Sequence, residues 1–292
     1  MPNADGKFID AATQRALLVV DPSHEISEML PGILDGSAWN VDRAPDNQAA
    51  LLLVQGKSFD VILTSEKTSG IEDIELLRKI RGINPHTRVI ILADQSTPKH
   101  VIEAIREHAF SYFTWPLALN WLAEMLRLAM ETRCWDDGIE VLSATPTWIH
   151  LFARCDFDTA ERLVHFINEI GDTLSDAERK DVSTAFREML LNAIEHGGHF
   201  DPSEYVEISY LRTHRAVSCR IRDPGKGFSL EEIPHAAIAN PPENPFRHLD
   251  LRENQGLRAG GYGVLLAREL VDELIYGEKG NEVVLVKYIG AT

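Results

Sequence analysis

The sequence predicts two domains: an α/β domain built as a doubly wound parallel sheet, then an α+β sandwich. Three observations carry this prediction. The chain has 292 residues, long for one average domain and suited to two. Its first half alternates short, wholly apolar runs with helical patterns, as parallel strands covered on both faces do. Its second half groups strands apart from helices, which suits one sheet with helices on one face. The pattern changes at Trp135, Asp136, Asp137 and Gly138, so the expected domains are residues 14–133 and 138–292.

In the first domain the expected strands are Leu17–Val20, Val61–Leu63, Val89–Leu92 and Ser111–Phe113. Ile71–Ile80 and Lys99–His108 carry helical spacing between them, and an apolar helix, Ala118–Thr132, closes the domain. In the second, Glu140–Leu142 and Trp148–Ala153 read as strands around a turn at Pro146. Helices Thr159–Ile170 and Ala177–Glu195 follow, then strands Val206–Leu211 and Ala216–Arg222. A helix from Val264 to Leu274 and a last strand, Val283–Tyr288, complete the domain.

Composition excludes several functions. A net charge of −16, with no block of Lys and Arg, is unsuited to binding nucleic acid, which needs a concentrated basic surface. Three scattered cysteines with no CxxC pair read as reduced thiols, not a disulfide frame or zinc site. No apolar stretch at the N-terminus suggests a signal peptide, and no run reaches the roughly 18 apolar residues of a membrane helix. The expectation is a cytoplasmic protein without membrane or nucleic-acid partners.

Residues 14–133 resemble the receiver domain of two-component response regulators, in topology and in the phrase Phe59–Leu63, loop, Ile74–Ile80. Receivers use an aspartate nucleophile, an acidic pair for magnesium, a hydroxyl residue and a lysine. Here Ser65 stands at the nucleophile position, and Asp21 of the acidic pair is followed by Pro22. Ala93 falls at the hydroxyl position and Trp115 at the lysine position. Serine cannot form an acyl phosphate, and tryptophan cannot stabilise its charge. The expectation is a pseudo-receiver, either a scaffold or a regulator of the second half through protein contacts.

Three phrases in the second half carry chemistry together. Glu188, Asn192 and His196 recur every four residues and share a helix face, where a carboxylate and an amide can polarise a hydroxyl and hold hydrated magnesium. Taken alone, that stripe could equally be a solvated polar face. Asp223, Pro224, Gly225, Lys226 and Gly227 follow a strand; the aspartate can accept from an exocyclic amine, and the glycines let backbone approach a flat base. Alone, this phrase is an ordinary turn. Arg258, Ala259, Gly260, Gly261, Tyr262 and Gly263 open a helix, whose free amides form an anion site. That phrase lacks the Gly-Lys-Ser/Thr ending of a P-loop.

In this order the phrases resemble the N box and two glycine boxes of the GHKL-type ATPases. The resemblance implies ATP and Mg2+ as cofactors, with Asn192 on the magnesium and Glu188 as base. Asp223 would meet the adenine amine, Gly225 and Gly227 would shape the base pocket, and Gly261 and Gly263 would bring amides to the phosphates. Arg258 and Lys226 are candidates for phosphate contacts, and His196 reads as structural. The proline-rich segment between Phe228 and Arg258 holds the place of the ATP lid.

A histidine kinase would carry a phospho-accepting histidine in an upstream helical hairpin, and no such segment joins the halves. The compact module with Glu140–Ile170 ahead of it is similar to the anti-sigma serine kinases. That resemblance implies a sigma factor and a STAS-domain anti-anti-sigma factor as partners, serine phosphorylation, and a possible homodimer. The alternative is a non-catalytic ATP-binding module that sequesters a sigma factor or other regulator. Asn281 departs from the threonine common at its position.

Overall fold

The computed structural model describes residues 15–34, 39–65, 71–131, 136–171, 174–227 and 262–290. By contacts the chain divides into two compact units, Met1–Ser96 with Ala109–Asp136, and Thr97–His108 with Asp137–Thr292.

The first sheet is parallel throughout, with strand order β2-β1-β3-β4-β5. Its strands are β1 (Arg15–Val20), β2 (Trp39–Ala44), β3 (Val61–Thr64), β4 (Arg88–Ala93) and β5 (Ser111–Thr114). The helices are α1 (Glu25–Met29), α2 (Asn47–Gly56), α3 (Ile71–Ile83), α4 (Pro98–Arg106) and α5 (Leu119–Glu131). Every residue of β3 and β4 is buried, because crossover helices cover both faces of a parallel sheet. The edge strand β2, with Asn40, Asp42 and Arg43 outside, escaped the sequence reading because it lacks an apolar run.

The retained Asp21 and the positions Ser65, Ala93 and Trp115, singled out in the receiver resemblance, lie at the carboxyl ends of these strands. Asp21 is 4% exposed, and both its oxygens are engaged locally. Ser23 donates to Oδ1 at 3.0 Å and the Ser27 amide to Oδ2 at 2.9 Å. Ser65 is 1% exposed, and its amide donates to the Val20 carbonyl. Ala93 ends β4 in the core, and Trp115, joined to Pro116 by a cis peptide, packs against the core cluster.

The second sheet is antiparallel, in the order β10-β11-β9-β8-β7-β6. Its strands are β6 (Ile139–Thr145), β7 (Trp148–Arg154), β8 (Tyr205–Arg212), β9 (Ala216–Arg222), β10 (Glu273–Tyr276) and β11 (Glu282–Tyr288). Alternation is plain in β7, where Ile149, Leu151 and Ala153 are buried and Trp148, His150 and Phe152 are not; period two places the two sets on opposite faces. Helices α6 (Phe157–Ile170), α7 (Asp176–Asn192) and α8 (Gly263–Leu270) accompany this sheet, and α7 packs on both α6 and α8. The fully buried Arg162 of α6 donates to the Asp137 carbonyl at 2.7 Å and to its Oδ1 at 2.6 Å.

One expectation fails. The predicted helix Val264–Leu274 stops at Leu270, and Glu273–Tyr276 becomes β10 against β11. The Asp272 amide already donates to the Val286 carbonyl at 2.9 Å, so sheet pairing overrides the local helical spacing.

Candidate functional site

Helix α7 supplies the first part of the site. Its N-terminus is set by a capping box, in which the Glu178 amide donates to Ser175 Oγ and the Ser175 amide to Glu178 Oε2. From there Val182, Ala185, Phe186, Met189 and Leu190 are buried, while Glu188 and Asn192 remain half-buried. The last turn widens into a π-helical turn, Ala193–Gly197, a distortion frequent at functional sites. It brings Gly197 under the end of β9.

Asp223 follows β9, and Gly197 lies against it. A Cβ on Gly197 would come within 2.2 Å of Asp223 Oδ1, and one on Gly225 within 2.9 Å of the Gly197 Cα. The aspartate is held at three points. Its amide donates to the Asn281 carbonyl at 3.0 Å, and Asn281 Nδ2 donates to its carbonyl at 3.2 Å. The Gly225 amide donates to Oδ1 at 2.8 Å. Burial raises the Asp223 carboxyl above its ordinary range, outweighing that hydrogen bond. Gly227 adopts φ +83°, and a Cβ there would lie 1.7 Å from the Lys279 carbonyl oxygen; only glycine fits.

The third part is the start of α8. Val264 and Ala267 are its buried residues. Gly263 stands over the polar pair of α7: a Cβ there would meet Glu188 Oε2 at 2.5 Å and Asn192 Nδ2 at 3.5 Å. Distant stretches of sequence thus meet in two places, Gly263 on the polar pair of α7 and Gly197 with Gly225 on Asp223, each a close approach that a methyl group would obstruct.

A model of the histidine kinase-like ATPase domain matches residues 154–287, and a model of the response regulator receiver domain matches residues 17–127. The chain belongs to the histidine kinase-like ATPase family, with a receiver domain ahead of the ATPase. The anti-sigma F factor of Anoxybacillus flavithermus is 30% identical over 128 residues, which is 42% of this chain and 77% of that protein. The transcriptional regulatory protein ZraR of Salmonella typhimurium is 28% identical over 156 residues, 53% of this chain. The chain spans 34% of the length of that regulator. Among solved structures, a response regulator from Thermotoga maritima is 23% identical, with a TM-score of 0.37, over 41% of this chain and 100% of that one.

Of the residues singled out in the sequence of the ATPase domain, the structure brings Glu188, Asn192 and Gly263 together, and separately Asp223, Gly225 and Gly227. Lys226 is exposed. Arg258, Gly261 and the lid segment lie outside the described residues. Sequence reasoning passed over two contributors. Gly197 directly follows the polar face of Glu188, Asn192 and His196, and a glycine in that place signals close approach. Asn281 was noted as a departure, and the structure makes it the clamp on the Asp223 backbone.

Proposed function

We propose that this chain is an ATP-dependent protein-serine kinase of the partner-switching type, acting on a STAS-domain protein and binding a sigma factor. The single observation that carries the reading is the meeting of Glu188 and Asn192 with Gly263 at the start of α8, one π-turn away from Asp223. The likeness to an anti-sigma F factor supports the choice of partner class.

Bound Mg-ATP supplies the phosphoryl group and the metal charge that stabilises its transfer. Asn192 would hold the magnesium. Glu188 accepts the proton of the attacking serine hydroxyl, which makes the oxygen a nucleophile as transfer proceeds. Asp223 accepts from the exocyclic amine of adenine, with Gly225 and Gly227 leaving room for the base. Amides at the start of α8, that of Gly263 among them, would meet the phosphates, and the resemblance assigns Gly261 the same role. Arg258 is an additional phosphate contact. In this reading the receiver-like unit works without phosphorylation, through protein contacts, since Ser65 replaces the acyl-phosphate acceptor.

The test is incubation with magnesium, labelled ATP and a cognate STAS-domain protein. Label should pass to a serine of that protein, and Glu188→Ala should abolish transfer while nucleotide binding persists. Nucleotide binding with no transfer by the wild type would favour a non-catalytic module that sequesters its partner.

A further inference from the structure

Arg187 stands beside Glu188 on α7, and its guanidinium is engaged along one edge. Nε donates to Glu161 Oε2 at 3.1 Å and Nη2 to Oε1 at 2.5 Å, the two-pronged geometry that arginine forms with a carboxylate. Glu161 belongs to α6, and its side chain is only 6% exposed. The pair therefore ties α7 to α6 and fixes the plane of the guanidinium. The other edge faces the neighbour: Nη1 lies 3.6 Å from Glu188 Oε1. That is too long for a hydrogen bond and within the range of a charge contact.

The second oxygen of Glu188 is placed differently. Oε2 is the atom that a Cβ on Gly263 would approach at 2.5 Å. One oxygen thus lies toward a fixed cation and the other toward the start of α8. A glutamate side chain has several rotamers, and a free one would lose this division.

We propose that Arg187, anchored by Glu161, is a positioning residue that turns Glu188 Oε2 toward the nucleotide. This inference rests on the kinase reading. Misplacing a base by an ångström costs on the order of a hundredfold in rate, so the arginine acts on transfer and not on nucleotide affinity.

The experiment compares single-turnover phosphoryl transfer from Mg-ATP to the STAS protein in the wild type, Arg187→Met, Arg187→Lys and Glu161→Gln. Nucleotide affinity is measured in parallel with a fluorescent ATP analogue. Arg187→Met should lower the transfer rate about tenfold or more, with affinity held within about threefold. Arg187→Lys should recover part of the rate, and Glu161→Gln should fall between. A merely structural arginine would lower affinity and melting temperature together with rate, and lysine would not restore the rate at unchanged stability.

Arg187→Met leaves the Glu161 carboxylate buried without its cation. If that variant does not fold, the double substitution Glu161→Met with Arg187→Met removes the penalty and carries the test. Transfer within twofold of wild type in the folded variant, or a loss of rate matched by an equal loss of affinity, overturns the proposal. A wild type that binds nucleotide and transfers nothing overturns the kinase reading and this inference together. An active wild type with indifferent variants overturns the inference alone.

Discussion

At the residue scale, the glycines of the site differ in what a methyl group would displace. At Gly263 the nearest atom is the end of a flexible side chain, Glu188 Oε2 at 2.5 Å. Gly263→Ala should therefore move the carboxylate and leave the fold intact: transfer falls while melting temperature shifts by only a degree or two, about 0.5 kcal/mol. At Gly227 the obstacle is the Lys279 backbone oxygen at 1.7 Å, and φ is +83°. Gly227→Ala should cost about 2 kcal/mol or more, read as a lowered midpoint in urea unfolding. Asp223 adds a pH argument. Its raised folded-state carboxyl means that the folded chain holds the proton more tightly than the unfolded chain, so ionisation as pH rises works against folding. Asp223→Asn keeps an acceptor for the Gly225 amide and removes the charge. At neutral pH it should melt higher than wild type while losing nucleotide binding; a lower melting temperature with binding retained would refute both roles.

At the element scale, the second sheet carries a charged ladder across β8, β9 and β11. Arg220 donates to Glu207 at 3.1 Å and to Glu282 at 2.6 Å, and His150 of β7 contacts Glu207 at 3.1 Å. For Glu207, burial pushes the carboxyl up, but the hydrogen bonds from Arg220 and His150 hold it below its ordinary 4.5. For Glu282 the hydrogen bond from Arg220 is the main cause of a lowered value. A depressed folded-state carboxyl contributes stability that is fully present above about 4.5 and lost as pH falls through the lower folded value. Arg220→Met should therefore flatten the fall of melting temperature with acid below pH 4.5, relative to wild type, in pH-resolved thermal scans. The same scale explains the start of β10: Glu273 and Leu274 fall within the expected helix Val264–Leu274, and pairing with β11 decides otherwise.

For the whole molecule, the two units show different relations to the families they match. The ATPase model covers residues 154–287, within which Gly263 meets Glu188 and Asn192, and Gly197 and Gly225 meet Asp223. The receiver domain has the parallel sheet, with Ser65, Ala93 and Trp115 at its strand ends. Incubation with magnesium and acetyl phosphate should leave that unit unmodified by intact mass, since Ser65 is 1% exposed and Asp21 has both oxygens engaged. A phosphoryl adduct within residues 15–131 would show that the unit is still a phosphoacceptor. No helix of the described residues is long and apolar enough to cross a membrane.

Sequence by itself determined the two fold classes, because burial on both faces writes continuous apolar runs and burial on one face writes alternation. It also determined the candidate side chains of the site, because Glu188 and Asn192 share a helix face at any tertiary arrangement. Tertiary structure alone decided which of them meet. Gly197 against Asp223, Asn281 across the Asp223 backbone and Arg187 on Glu161 all join residues through packing of separate elements, and no local periodicity encodes such contacts.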